Sequence, residues 1–227
     1  MLQPNYIPWK GVFDLIDRVD AFVFYDDVQY TKRDWRNRNK IKTRGGDIWL
    51  TVPVKNEGTQ MICDVSIDTT QKWQENHYQT IKNNYLRAAY FKDYEYLLEE
   101  IYLKNQWSKI SDLNVFSTKL IAQALGIQTE WVLASELKVS GSKDGGKVIE
   151  ICKKLGCDYF INGPASKAFM NEELFQANDI RLEYMEYRYE EYQQLYKPFS
   201  HAVSVLDVLF NCGPEAKRYV CRSGLDQ

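Results

Sequence analysis

Asp26 and Asp27 stand directly before a run of cations. Between residues 32 and 44 the chain carries Lys32, Arg33, Arg36, Arg38, Lys40, Lys42 and Arg44 against Asp34 alone. Arginine forks grip phosphate or carboxylate through paired hydrogen bonds, and asparagines among them add donors and acceptors. Paired carboxylates beside such cations suit structural ion pairs or an Mg²⁺ ion on a polyphosphate. Phosphoryl and nucleotidyl transfer needs chiefly positioning and charge stabilisation. Asp26, Asp27, Lys32 and Arg36 are therefore the candidate catalytic set, with Gln29, Arg38 and Asn39 as ligand contacts. Consecutive strand residues point to opposite faces, so only one aspartate of the pair can face a site, and Asp26 is the one favoured. The plain alternative is a solvated basic loop.

A second cluster opens the chain. Gln3, Asn5, Tyr6, Trp9 and Gly11 lie in a loop stiffened by Pro4 and Pro8, which leads into a helix whose free N–H groups attract anions. In open α/β sheets ligands bind at such loops. A third cluster, Asn162, Gly163 and Ser166, has the form strand, tight turn, helix start; capping alone would explain it, and Gly163 could also let a ligand approach. His201, Ser204 and Asp207 form a Ser/His/Asp set, but the spacing and the lack of a GxSxG elbow argue against a hydrolase triad. His77, among Trp73, Tyr78 and Ile81, reads as a packed or surface imidazole. No GxxxxGK[ST], GxGxxG or HExxH occurs.

The elements that must position these residues follow from periodicity. Helical spacing of Val12, Phe13, Leu15, Ile16 and Val19 precedes a buried strand at 21–25. Strands are predicted at 48–54 and 61–67, with a turn at 55–60 between them. Apolar stripes without interior proline then predict helices at 71–87, 92–104 and 108–125, the last closed by Gly126. A strand at 129–133, a helix at 144–155 ending at Gly156, a strand at 158–161, a helix at 166–176 and a strand at 180–187 follow. A tyrosine-rich loop at 188–199 precedes helices near 202–210 and 215–221. This alternation predicts an α/β protein with a mostly parallel sheet and flanking helices. Residues 1–70 with 126–227 would form a nucleotide-binding-like domain, and 71–125 a helical insertion.

The 227 residues include 44% hydrophobic and 14% aromatic side chains, enough for a full core and against general disorder. With 29 Lys+Arg against 31 Asp+Glu the formal charge is −2, so no global basic field recruits nucleic acid or anionic membrane. Apolar runs fall well short of the ~18 residues of a membrane span, and no basic-then-apolar leader opens the sequence, so a cytoplasmic protein is expected. Cys63, Cys152, Cys157, Cys212 and Cys221 form an odd set without CxxC spacing and read as free thiols.

The segments QPNYIPWKGVFDLI, VDAFVFYDDVQYTKRDWRNRNKIK with WLTVPV, and GCDYFINGPAS with FSHAVSVLDVLFN resemble the WbqC-like family. Its members are often encoded in bacterial O-antigen and surface-polysaccharide gene clusters. The layout of the first unit, a loop ending in glycine, a helix and VDAFVFYDD, is also similar to HIGH-type nucleotidylyltransferases and pantothenate-synthetase-like ligases of the HUP type. The HxGH histidines of those enzymes are missing: Asn5, Tyr6 and Trp9 stand in their loop, and Lys32, Arg36 and Arg38 would have to meet transition-state charge. The resemblance implies an enzyme of surface-glycan biosynthesis acting on a nucleotide-activated amino sugar, through nucleotide-dependent acyl or aminoacyl transfer or ligation. ATP or another nucleotide with Mg²⁺ is the implied cofactor and a nucleotide-sugar the implied small-molecule substrate. The alternatives are a non-catalytic nucleotide-sugar or partner-binding module, and RNA binding through residues 31–44, against which the overall charge argues.

Overall fold

The protein is described by a computed structural model covering residues 1–55, 58–142 and 144–221. Helix α1 (Lys10–Asp17) is buried from Lys10 to Ile16. It leads to β1 (Ala21–Phe24), β2 (Arg38–Thr43), β3 (Gly46–Thr51), β4 (Val54–Lys55) and β5 (Ser66–Ile67). Helices α2 (Trp73–Tyr85), α3 (Phe91–Glu99) and α4 (Ile110–Ala124) follow. The chain continues through β6 (Glu130–Leu133), α5 (Ala134–Leu137), α6 (Gly146–Leu155), β7 (Tyr159–Asn162), α7 (Glu172–Gln176), β8 (Arg181–Tyr184), α8 (Leu206–Cys212) and α9 (Ala216–Val220).

The fold is α/β. β1 pairs in parallel with β6, Phe22 opposite Trp131, and β7 pairs in parallel with β8. Leu2 adds a parallel bridge to Phe24. The β7–α7–β8 stretch is a parallel crossover. Gly126 and Gly156 end α4 and α6 at φ +67° and +68°, where a glycine avoids the Cβ penalty of the left-handed region. The large apolar core joins Tyr6 and Phe13 to Tyr85, Phe91 and Ile121 of the helical block and to Phe210 of α8. A smaller core, including Val23, Val148, Phe160 and Phe175, lies around the parallel pairs and α6.

Five expectations need correction. The basic segment is not a loop throughout: β2 and β3 form an antiparallel hairpin, Lys40 opposite Trp49, closed by Gly46 at φ +111°. Its alternation is hidden because the inward position beside Ile41 is the polar Asn39, 2% exposed. The expected strand at 61–67 is a bridge from Met61 to Gln29, a 3₁₀ turn at Ile62–Asp64 and the short β5. The expected helix at 166–176 is a 3₁₀ turn at Pro164–Ala168 followed by α7, which Asn171 caps by accepting from Leu174 N. The helix near 202–210 starts only at Leu206, because Ser204 N donates to Lys40 O (2.8 Å) and Val205 N to Pro8 O (2.9 Å). That last pairing ties the 199–205 segment between the N-terminal loop and the hairpin, where the site lies. The helix expected at 92–104 divides into α3 and a π-helical turn at Glu100–Lys104.

Candidate functional site

A cleft of about 380 Å³ opens where the N-terminal loop, the start of the basic segment and the 199–205 segment meet. This lies within the roughly 300–1,000 Å³ of small-molecule sites. Asn5, Trp9, Trp35, Asn39 and His201 line it. The Trp9 indole folds back over α1, and a Cβ on Gly11 would stand 2.4 Å from its ring. Gly11 thus permits close approach, but of Trp9 rather than of a ligand. Tyr187 and Tyr189 meet Trp9 edge-on at 5.0 and 6.0 Å. Asn39 positions the loop by donating to Ile7 O (2.8 Å) and Tyr6 O (3.2 Å).

Arg36 stands behind Asn5. Its Nη1 donates to Asn5 Oδ1 (2.9 Å) and its Nη2 pairs with Asp34 (2.7 Å), leaving Nε buried and unmatched. Burial lowers the Arg36 pKa, opposed by Asp34, and raises that of the adjacent Tyr30 to about 12. Arg38 lies 4.3 Å and Lys40 5.0 Å from the Trp49 ring centroid, and Trp49 packs on Trp35 at 5.4 Å. Trp35 and Trp49 are 43% and 42% exposed, so the cleft opens onto a shelf of two indoles and two cations. Neither Arg38 nor Lys40 has an ion-pair partner among the described residues.

Several of the unmatched buried polar atoms belong to the N-terminal loop, the basic segment and α4. Gln3 Oε1, Arg36 Nε, Asn37 Oδ1, Arg38 Nε and Asn114 Oδ1 lack partners, and Asn114 Nδ2 donates to both Pro4 O (3.0 Å) and Arg36 O (2.7 Å). Buried polar groups are nearly always paired, so these unmatched atoms depart from the usual pattern.

The other expected residues lie elsewhere. Tyr6 is fully buried; it shares hydrogen bonds with His77 Nδ1 (2.7 Å) and Tyr102 Oη. Burial lowers the His77 pKa to about 4, so that imidazole is neutral and packed. Asp26 accepts from Ser135 N (2.9 Å) and Ser135 Oγ (2.7 Å). Asp27 Oδ2 pairs with Lys147 (2.7 Å), leaving Oδ1 unmatched. Neither carboxylate meets the basic segment. An Mg²⁺ ion does not fit this donor set as arranged, because Ser135 donors occupy Asp26 and an ammonium lies on Asp27. Among the described residues no group of three His, Cys, Asp or Glu side chains is placed to hold a metal ion. Lys32 and Gln29 are exposed, Gln29 beside its bridge to Met61. The 162–166 turn is self-contained, with Gly163 N donating to Asn162 Oδ1 (2.9 Å) and Ser166 Oγ to Gly163 O (2.7 Å). A Cβ on Gly163 would lie 3.5 Å from Tyr187 Oη, and the Tyr187 ring packs edge-on against Trp9.

Sequence reasoning passed over Trp35, Trp49 and Lys10. Lys10 is 3% exposed, an outlying burial for a lysine, and its place at the start of a helix buried along its length was the available signal. His201 is exposed, while Ser204 Oγ accepts from Leu206 N and the Asp207 carboxylate is taken up by Tyr85, Tyr192 and Gln194. No triad forms from them.

No helix among the described residues is long and apolar enough to cross a membrane. No solved structure matches the chain. An uncharacterized protein of Mycobacterium tuberculosis (strain ATCC 25618 / H37Rv), Rv1507c, is 40% identical over 227 residues, which cover 98% of this chain and 97% of that one. The model of the WbqC-like protein family matches residues 3–219, nearly the whole chain, and the protein belongs to that family.

Proposed function

We propose that the protein is a cytoplasmic enzyme of surface-glycan biosynthesis that binds a nucleotide-activated amino sugar in the Trp9/Trp35 cleft and joins an acyl or aminoacyl group to it. The observation that carries this reading is the union of one cleft with one shelf. Indoles suit a sugar face or a nucleobase, and unpaired cations beside them suit a diphosphate. Asn5, fixed by Arg36, supplies a polar contact that orients a ligand in such a pocket, and Asn39 holds the loop that presents it. A larger groove of about 810 Å³ runs along β8, but Glu172, Asp179, Glu183 and Glu186 outnumber Lys167 and Arg181 there, which disfavours phosphates.

Thermal stability measured with UDP-, dTDP- and CMP-sugars tests the reading. A ligand at 100 times its Kd adds about 2.7 kcal/mol of stability. The expected result is stabilisation of the native chain by at least one nucleotide-sugar, lost in Trp35→Ala and Arg38→Ala. Stabilisation that both variants retain would remove the cleft from consideration. The exposed Trp35–Trp49 pair with Arg38 and Lys40 also supports the RNA reading, since bases stack on such platforms. Oligonucleotide affinity falling steeply with salt would favour it.

A further inference from the structure

β8 pairs with β7 along one side, and among the described residues no other strand pairs with it. Arg181 N donates to Asp158 O (2.8 Å) and Met185 N to Asn162 O (2.8 Å), so the odd-numbered residues turn their backbone groups towards β7. Alternation turns the N–H and C=O groups of Leu182 and Tyr184 the other way. Among the described residues no backbone group bonds to them there. The groove of about 810 Å³ follows this edge, since residues from both faces of the strand line it, Leu182 and Tyr184 from one and Arg181 and Glu183 from the other. An open strand edge is a template for a further strand.

Charges on an edge commonly keep foreign strands away. Here the side chains of Arg181 and Glu183 are 75% and 37% exposed, and their order makes the edge complementary to itself. Two antiparallel copies pair only residues whose backbone groups point the same way, so within Arg181–Glu183 the dyad falls on one of three residues. Centred on Leu182, that residue meets its own copy and exchanges two backbone hydrogen bonds with it. Arg181 of each copy then stands opposite Glu183 of the other, in the closer positions that lack backbone bonds. Centred on Arg181 or Glu183, like charges would stand opposite each other, which is unfavourable. In the favoured register Tyr184 N–H faces Ile180 O of the other copy, and Ile180 N is already bound to Phe175 O (3.1 Å), which closes the ladder.

We propose that β8 is a dimerisation edge that pairs antiparallel with β8 of a second copy of this chain about a dyad at Leu182, joining the two β7–β8 pairs into one four-stranded sheet. The charge order selects a second copy as the occupant, because a strand of uniform charge would meet either Arg181 or Glu183 unfavourably. No residue of this edge lines the Trp9/Trp35 cleft, so the proposal stands independently of the nucleotide-sugar reading.

Sedimentation equilibrium of the full chain, from micromolar to millimolar concentration, tests the proposal, with circular dichroism checking that each variant folds. The expected result is a reversible monomer–dimer equilibrium. Arg181→Glu and Glu183→Arg should each weaken it at least about tenfold, since both cross-strand pairs turn from attraction to repulsion. An equimolar mixture of these two variants should recover the native affinity within about threefold, because one chain then carries only acids at the two positions and the other only arginines. The intrachain Arg181–Glu183 pair (3.2 Å) stays broken in that mixture, so recovery reads the contact between copies alone. Amide exchange of the native chain gives a reading without substitution: the Leu182 and Tyr184 amides should slow as concentration rises. A chain that stays monomeric throughout, a dimer that neither variant weakens, variants that fail to associate when mixed, or amide rates that ignore concentration would each overturn the proposal.

Discussion

Asp207 and Arg36 are both largely withdrawn from water, yet their surroundings differ in one respect. Every Asp207 oxygen is taken by a donor from another element, and Tyr85 Oη in turn accepts from Lys42 N (2.9 Å). The Tyr6–His77–Tyr102 cluster is closed in the same way. Around Arg36 some buried polar atoms stay unmatched, among them Arg36 Nε, Asn37 Oδ1 and Arg38 Nε. A closed polar network contributes to the fold, whereas an open one costs stability unless a ligand completes it. The comparison teaches that burial of polar residues is common to both regions and that they differ in how fully their polar atoms are paired.

Substitution should therefore divide the two regions. The largest effect belongs to Asp207→Ala, which leaves Tyr85, Tyr192 and Gln194 donors stranded. A loss of about 3–5 kcal/mol in urea unfolding is expected. A loss below about 1 kcal/mol would break the comparison at its closed end.

His77 sharpens it through pH. Burial holds the folded-state pKa at about 4 against an ordinary 6.5. Between those values the unfolded chain takes up a proton that the folded chain refuses. The contribution is thus full above about pH 6.5 and lost as pH falls towards 4, amounting to about 3 kcal/mol. Unfolding free energies measured across that window should fall with pH for the native chain and be flatter for His77→Gln. Equal slopes would show that His77 is not held neutral.

Gly11→Ala probes the join between framework and site. The added Cβ meets the Trp9 ring, so Trp9 must leave its place over α1. A cost of about 1–3 kcal/mol is expected, together with a changed near-ultraviolet circular dichroism signal. An unchanged spectrum would show that Trp9 is not held there.

The smallest stability effect is expected at the open end. Arg38→Ala removes a half-buried cation without an ion pair and should cost under about 1 kcal/mol by thermal unfolding. A loss as large as that of Asp207→Ala would make the basic hairpin framework rather than site.

The sequence announced much of the framework and part of the site. The helix–glycine–strand units around Gly126 and Gly156 were legible because apolar period and left-handed glycine act locally. Asn5, Trp9 and Asn39 were also legible, since prolines and a polar–basic run mark loops. The hairpin was not, because Asn39 faces inward by bonding to Tyr6 O and Ile7 O, contacts more than thirty residues away in sequence. Tyr6 looked like a loop residue for the same reason: its partners, His77 and Tyr102, belong to the helical block. The destinations of Asp26 and Asp27 depended on Ser135 and Lys147, over a hundred residues later. Long-range pairing decides which polar residues are closed off, and one-dimensional spacing does not contain it.

The central claim is that the open network around the cleft is where a ligand binds. A crystal structure of the full chain grown with the nucleotide-sugar that stabilises it most tests this directly. The account predicts ligand density lined by Trp9 and Trp35, with the phosphates within hydrogen-bond reach of Arg38 or Lys40. Ligand density in the groove beside β8, with the Trp9/Trp35 cleft holding only solvent, would contradict it.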